Sequence, residues 1–152
     1  ADLFVLPLSS SIGTVVSGAP APINLNGVSY PLADKWVLIP SEQTAIRNAT
    51  DAYNATISNV ASTNGLALVN LNAILTQAST TGIMFDDYTM NTSLVFGGLV
   101  SLDGIHLTAR GYALMANKFL EAIDSTYGSN FIASGNVAKA GNYTTNFSPT
   151  LQ

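Results

Sequence analysis

The chain contains a single histidine, His106, and an aspartate three residues before it, Asp103, across an Asp-Gly turn. An imidazole can accept and return a proton near neutral pH, and it does so best when a carboxylate fixes its tautomer and steadies the imidazolium. A turn of this length can fold the carboxylate back onto the ring. The pair therefore indicates the acid–base part of a hydrolytic site, with His106 as general base and Asp103 as its partner.

Two other interpretations of these residues stay open. Asp-Gly is an ordinary turn signature, and a lone histidine before a helix is often a capping or surface group. Asp86 and Asp87 could also join Asp103 and His106 in an oxygen-rich metal site, but nothing in the spacing enforces that geometry. We expect no metal and no cofactor.

A predicted amphipathic helix directly follows the pair and would support it rigidly. Thr108 is placed to cap this helix, and Gly128 to end it. Its apolar residues recur at helical spacing: Tyr112, Met115, Ala116, Phe119, Leu120 and Ile123.

The elements earlier in the chain predict an α/β unit. The apolar run at 3–8 fits a buried strand, and residues 9–40 form a long irregular excursion with a small hairpin around Asn26-Gly27. A helix is predicted over 41–64 with Ser41 as its cap, followed by a strand-like run at 66–71. Helix, glycine and buried strand in this order are typical of parallel sheets.

The remaining segments are shorter. We predict a helix over 72–80 capped by Asn72, and a hairpin or paired loop segments within 83–96 around Asp86-Asp87 and Asn91-Thr92. Residues 129–152 are small and polar without periodicity, which predicts an extended or mobile tail after a domain spanning 1–128.

Composition excludes several classes of function. The 152 residues fit one domain, and only 9% are charged, with a net charge of −4 and no basic run. Nucleic-acid binding is therefore not expected. The absence of cysteine excludes disulfides, thiolate zinc sites and a cysteine nucleophile. No apolar stretch approaches the roughly 20 residues of a transmembrane helix, and the first residues do not read as a signal peptide.

Residues 103–116, Asp-Gly-Ile-His-Leu-Thr-Ala-Arg-Gly-Tyr-Ala-Leu-Met-Ala, closely resemble the last signature block of the SGNH (GDSL-type) ester hydrolases. The resemblance implies a flavodoxin-like three-layer α/β/α fold, of which this chain would be the C-terminal portion. It also implies that His106 and Asp103 complete a triad with a serine from an N-terminal G-D-S block. The supporting positions of the block match Gly104, Thr108, Gly111 and Tyr112. Leu107 stands where many members have proline.

The resemblance also implies what this chain lacks. Neither G-D-S nor G-x-N-D occurs in the 152 residues, and no serine lies at a strand-to-helix elbow. We therefore expect the nucleophile and the oxyanion side chain before Ala1, where the chain starts abruptly with a strand. The expected partners are that missing N-terminal segment or a second copy of the chain, and an ester substrate.

Segments 31–38 and 49–54 look like a subgroup of exported Bacteroidetes-type members with a long central insertion. The resemblance therefore implies an exported bacterial protein, which is periplasmic, outer-membrane-associated or extracellular. A second hypothesis is a non-catalytic cell-surface or carbohydrate-binding module that keeps a hydrolase-like remnant. Trp36 with Tyr30 could line an acyl or sugar pocket, or pin a loop onto the core.

Overall fold

The computed structural model describes residues 1–146, and the last six residues of the predicted tail, 147–152, lie outside the described residues. The chain divides into two compact units, residues 1–57 and the residues from 58 onward. Each unit combines helix with a small antiparallel sheet, so the chain is a mixed α/β protein. Its elements are β1 (Leu3–Phe4), β2 (Val37–Leu38), α1 (Pro40–Thr63), α2 (Leu71–Thr80), β3 (Ile83–Phe85), β4 (Tyr88–Met90) and α3 (Ala109–Tyr127).

The strands form two sheets, and each sheet contains two antiparallel strands. β1 pairs with β2, and β3 forms a hairpin with β4 in which Phe85 lies opposite Tyr88. The hairpin predicted around Asp86-Asp87 is therefore confirmed, and Asp86 takes a left-handed φ of 51° at its turn. The parallel pairing predicted from the order of helix, glycine and strand is wrong for the sheets that the structure describes.

Two apolar runs that predicted buried strands fold differently. Of the run at 3–8, only Leu3 and Phe4 form a strand, and both are exposed. A 3-10 helix, Leu6–Ser10, follows at once, because Pro7 has no backbone N–H for a ladder and its fixed φ suits a helical turn. The run at 66–71 pairs with no described strand, so without a ladder it stays irregular until α2 begins at Leu71.

The helix predicted over 41–64 is confirmed as α1, but its start differs. It begins at Pro40, which suits the first helical turn because proline lacks an N–H that would remain unpaired there. Ser41 is therefore inside the helix and does not cap it. The Glu42 carboxylate instead reaches back and accepts a hydrogen bond from the backbone N–H of Ile39 at 2.9 Å.

The start of α2 also differs from prediction, and its cap is Asn70 in place of Asn72. The Asn70 side-chain oxygen accepts a hydrogen bond from the N–H of Ala73 at 2.9 Å. Asn70 lies in a non-helical conformation immediately before Leu71, which is the position a capping side chain requires. Asn72 falls within the first turn, where its own side chain cannot act as the cap.

The excursion at 9–40 contains ordered local structure within the first unit. Val15 and Leu25 form an antiparallel bridge, and the backbone reverses after Asn26 with Gly27 at a φ of 71°. The hairpin predicted around Asn26-Gly27 is wrong, because the bridge across that turn, between Asn26 and Tyr30, is parallel and the antiparallel bridge lies between Val15 and Leu25. A 3-10 helix, Asp34–Trp36, then leads into β2.

The hydrophobic core of the second unit lies between the β3–β4 hairpin, the segment before the Asp-Gly turn, and α3. Leu99 and Met90 are its largest fully buried side chains. The other members are Ala78, Ile83, Phe85, Ala113, Leu114, Met115 and Ala140. This core holds the N-terminal part of α3 against the segment that leads to Asp103.

The packed side of α3 differs from the predicted apolar face. Gly111, Ala113, Leu114 and Met115 are buried, whereas Tyr112 and Phe119 are 53% and 49% exposed. The buried residues of α3 all lie in its first two turns, and of the rest of the predicted face Leu120 and Ile123 are half-buried and Ala116 is exposed. In the described residues, no helix is both long enough and apolar enough to cross a membrane.

The described part of the predicted tail, residues 129–146, is hydrogen-bonded to the body of the second unit. The Asn117 side chain both donates to and accepts from the backbone of Ala138, each at 2.9 Å. Ala140 is fully buried, and its N–H donates to an Asp86 carboxylate oxygen at 2.7 Å. These contacts make the segment up to 146 part of the unit's packing.

Candidate active site

His106 and Asp103 are in direct contact. The Nδ1 atom of His106 lies 2.6 Å from Oδ2 of Asp103, a short distance typical of a charge-assisted hydrogen bond. The imidazole is 68% exposed and the carboxylate 48% exposed. A carboxylate on Nδ1 places the proton on that nitrogen, which leaves Nε2 as the proton acceptor. No hydrogen bond to Nε2 occurs within residues 1–146.

The second carboxylate oxygen of Asp103, Oδ1, accepts three further hydrogen bonds. The Ser101 hydroxyl donates at 2.6 Å, and the backbone N–H groups of Ile105 and His106 each donate at 2.9 Å. The bond from Ser101, then the bond from the His106 ring and then the two backbone bonds hold the pKa of Asp103 well below its ordinary value. Asp103 is therefore ionised at neutral pH and acts purely as an acceptor.

The turn itself is set by Gly104 and by two backbone bonds. Gly104 adopts a φ of 72°, a left-handed conformation that the Asp-Gly sequence allows without strain. Its N–H donates to the carbonyl of Ser101 at 3.0 Å, and the N–H of Ser101 donates to the carbonyl of His106 at 2.8 Å. These contacts fold the chain back so that Asp103 and the His106 ring meet.

Thr108 and Gly111 join the turn to α3. The Thr108 hydroxyl donates to the carbonyl of Gly98 at 2.6 Å and accepts the N–H of Gly111 at 2.9 Å, so the predicted cap is confirmed. Gly111 is required for space, because an added Cβ would lie 2.5 Å from the carbonyl oxygen of Leu99. Both residues therefore support the dyad through the backbone that precedes it.

Tyr112 differs from the other predicted supporting residues. Its backbone N–H donates to the carbonyl of Thr108 as part of α3, and its ring is 53% exposed. No hydrogen bond from its hydroxyl occurs among the described residues. The structure therefore brings together His106, Asp103, Gly104, Thr108 and Gly111, and leaves the Tyr112 ring outside this network.

Apolar side chains flank the dyad on the same turn. Leu102 is 59% exposed and Ile105 is 70% exposed, and each is next in sequence to one member of the pair. Phe96, on the segment that leads to the turn, is 93% exposed. The His106–Asp103 pair thus lies beside exposed apolar surface, which is typical of interaction positions.

The structure gives less support to the two other sites that the sequence suggested, a metal site and an aromatic pocket. Among the described residues, no group of three or more His, Asp or Glu side chains is arranged to hold a metal ion, and Asp86 instead accepts the N–H of Ala140. In the first unit, Tyr30 and Trp36 do line one groove. The Lys35 ammonium lies 4.8 Å from the centre of the Trp36 ring, so that ring already has a cationic partner.

Sequence reasoning missed two residues of this network. Ser101 contacts Asp103 directly, and its only sequence signal is a short hydroxyl side chain two positions before the aspartate. Asn146 donates to the carbonyl of Val100 at 2.9 Å across a separation of 46 residues. No local pattern could reveal that second contact.

Comparisons of this chain with protein-family models, with curated proteins and with solved structures found no match.

Proposed function

We propose that this chain supplies the acid–base half of a serine ester hydrolase of the SGNH type, and that the nucleophilic serine comes from a segment outside these 152 residues. The single observation on which the proposal depends is the 2.6 Å contact between His106 Nδ1 and Asp103 Oδ2 on a turn anchored to α3. The fold proposed for the assembled protein is the flavodoxin-like three-layer α/β/α sandwich. This chain would form its C-terminal portion.

The proposed chemistry assigns one role to each member of the pair. His106 Nε2 takes the proton from the serine hydroxyl as its oxygen bonds to the ester carbonyl carbon. His106 then returns that proton to the leaving alcohol as the carbon–oxygen bond breaks and the acyl-enzyme forms. Asp103 holds the Nδ1–H and stabilises the imidazolium while remaining ionised. A water molecule activated by the same nitrogen releases the acid.

The contacts of Ser101 and Ser10 support a nucleophile that lies outside this chain. The Ser101 hydroxyl donates to Asp103 and so lies on the carboxylate side of the dyad, not at Nε2. Ser10 donates to the carbonyl of Pro7 within a 3-10 helix, which is not the strand-to-helix elbow that a nucleophile of this class occupies.

The exposed apolar surface supports both an ester substrate and a covering segment. Leu102 and Ile105 flank the dyad, and Tyr112 and Phe119 leave one side of α3 half exposed. Such surface is typical of ligand and interface positions. The N-terminal segment of the same protein is the proposed partner at α3. We also propose that the protein is exported, on the strength of its likeness to exported members of the family.

The isolated 152-residue chain tests this proposal, because it contains the base without its nucleophile. With a p-nitrophenyl ester we expect turnover no faster than that of free imidazole at the same concentration. The matched control is the same chain with His106→Ala, which fixes the background rate. Faster turnover that is abolished by replacing one of the chain's own serines would contradict the proposal.

A further inference from the structure

We propose that Ser101 is a positioning residue, which fixes the carboxylate of Asp103 so that Oδ2 points at Nδ1 of His106. The inference rests on the proposed function for its catalytic meaning, but its structural content stands on the contacts of Ser101 alone. The geometry indicates a third member of the site that acts through Asp103 and not on the substrate.

The two carboxylate oxygens of Asp103 have different partners. Oδ1 accepts from the Ser101 hydroxyl and from the N–H groups of Ile105 and His106, at 2.6, 2.9 and 2.9 Å. Three donors occupy this oxygen, so only Oδ2 remains to receive the imidazole. The two oxygens are equivalent, so a half-turn merely exchanges them, but any smaller rotation would break these bonds together, and they therefore fix the plane of the carboxylate.

Ser101 differs from the other two donors because it donates through its side chain, which a substitution can remove. Ile105 and His106 donate through their backbone N–H groups, which every substitution except proline retains. Ser101 also follows Val100, which forms an antiparallel bridge with Leu107. The backbone N–H of Ser101 donates to His106, and its carbonyl accepts from Gly104. Its hydroxyl is thus fixed at the base of the turn.

The base of the turn is attached to the hydrophobic core of the second unit. Leu99, two residues before Ser101, is fully buried, and its carbonyl accepts the N–H of Thr108 at 2.9 Å. Asn146 donates to the carbonyl of Val100 at 2.9 Å from the C-terminal segment. Ser101 therefore links the half-exposed carboxylate of Asp103 to backbone that the packed core holds in place.

The tautomer of His106 reports this positioning without any substrate. Because the chain has one histidine, the ¹⁵N spectrum of labelled protein contains one pair of imidazole nitrogens. In the neutral ring, which carries one proton, a fixed Oδ2 favours the Nδ1–H form. The Asp103→Asn variant defines the spectrum of a ring without that partner.

We expect Ser101→Ala to move the Nδ1–H population by more than half of the difference between wild type and Asp103→Asn. Ser101→Cys, which keeps the shape but donates weakly, should shift it in the same direction, and Ser101→Thr, which keeps the hydroxyl, should restore the wild-type spectrum. The control is Ser129→Ala, because Ser129 donates to Asp124 Oδ1 at the same 2.6 Å. Asp124 lies about 22 Å along α3 from its first residue, at about 1.5 Å per residue.

An unchanged tautomer in Ser101→Ala and Ser101→Cys would overturn the inference, as would an equal change in Ser129→Ala. A wild-type ring without an excess of the Nδ1–H form would also overturn it. The proposed function has a separate test. If the tautomer depends on Ser101 but the gene product has no esterase activity, the positioning role of Ser101 stands and its catalytic role is excluded. In an active gene product, Ser101→Ala should lower kcat and leave KM unchanged.

Discussion

Replacing His106 with alanine in the full-length gene product is expected to lower kcat for ester hydrolysis by on the order of 10⁶-fold. The reason is that His106 is the single histidine of the chain, and its Nε2 is the proposed acceptor of the serine proton. Without it, neither deprotonation of the nucleophile nor protonation of the leaving alcohol has a general acid–base group. The measurement is steady-state hydrolysis of a p-nitrophenyl ester, with circular dichroism to verify the fold.

The companion variant Asp103→Asn tests the same pair of residues, with a smaller expected loss of activity. It keeps the size of the side chain but presents an amide, which no longer favours Nδ1–H and cannot stabilise the imidazolium. The expected loss in kcat is smaller, about 10⁴-fold. Ser125→Ala, an exposed change toward the far end of α3, is the control and should leave kcat unchanged. Near wild-type activity in His106→Ala would contradict the assignment of the base.

The largest expected effect on stability follows from Leu99→Ala. Leu99 is fully buried among the side chains of the second unit, so the change leaves a cavity that the rigid surroundings fill only in part. We expect the free energy of unfolding to fall by about 2–5 kcal/mol. Urea unfolding followed by circular dichroism measures the loss.

The matched control for this variant is Leu94→Ala, because Leu94 precedes Leu99 by five residues and is 53% exposed. Its replacement should alter the free energy of unfolding by no more than about 0.5 kcal/mol. Similar losses in the two variants would mean that the core does not lie where the contacts of Leu99 place it. This test needs no nucleophile and is independent of the proposed activity.

Local signals predicted the elements on both sides of the site correctly. The apolar spacing with Thr108 and Gly128 identified α3 and both of its ends, and Asp86-Asp87 identified the β3–β4 turn. The Asp-Gly dipeptide likewise indicated a turn that folds Asp103 back onto His106. These signals succeed because caps, tight turns and helical periodicity depend on neighbours only a few residues apart.

The misjudged elements depend on partners distant in the chain. The runs at 3–8 and 66–71 have the composition of buried strands, but a strand forms only where another strand completes its ladder. The buried side of α3 differs from the predicted side for the same reason. The small core contacts Gly111 and Leu114, and Phe119 stays half exposed. In the site, the Asn146 contact with Val100 was beyond the reach of any local pattern.

The measurement that tests the central claim most directly is labelling of the full-length gene product with a fluorophosphonate, which phosphonylates the activated serine of serine hydrolases. Peptide mass spectrometry then locates the labelled residue. We predict one labelled serine outside residues 1–152, and loss of the label in His106→Ala. A label on a serine within these residues, a label that persists in His106→Ala, or no labelling of the wild-type gene product would contradict it.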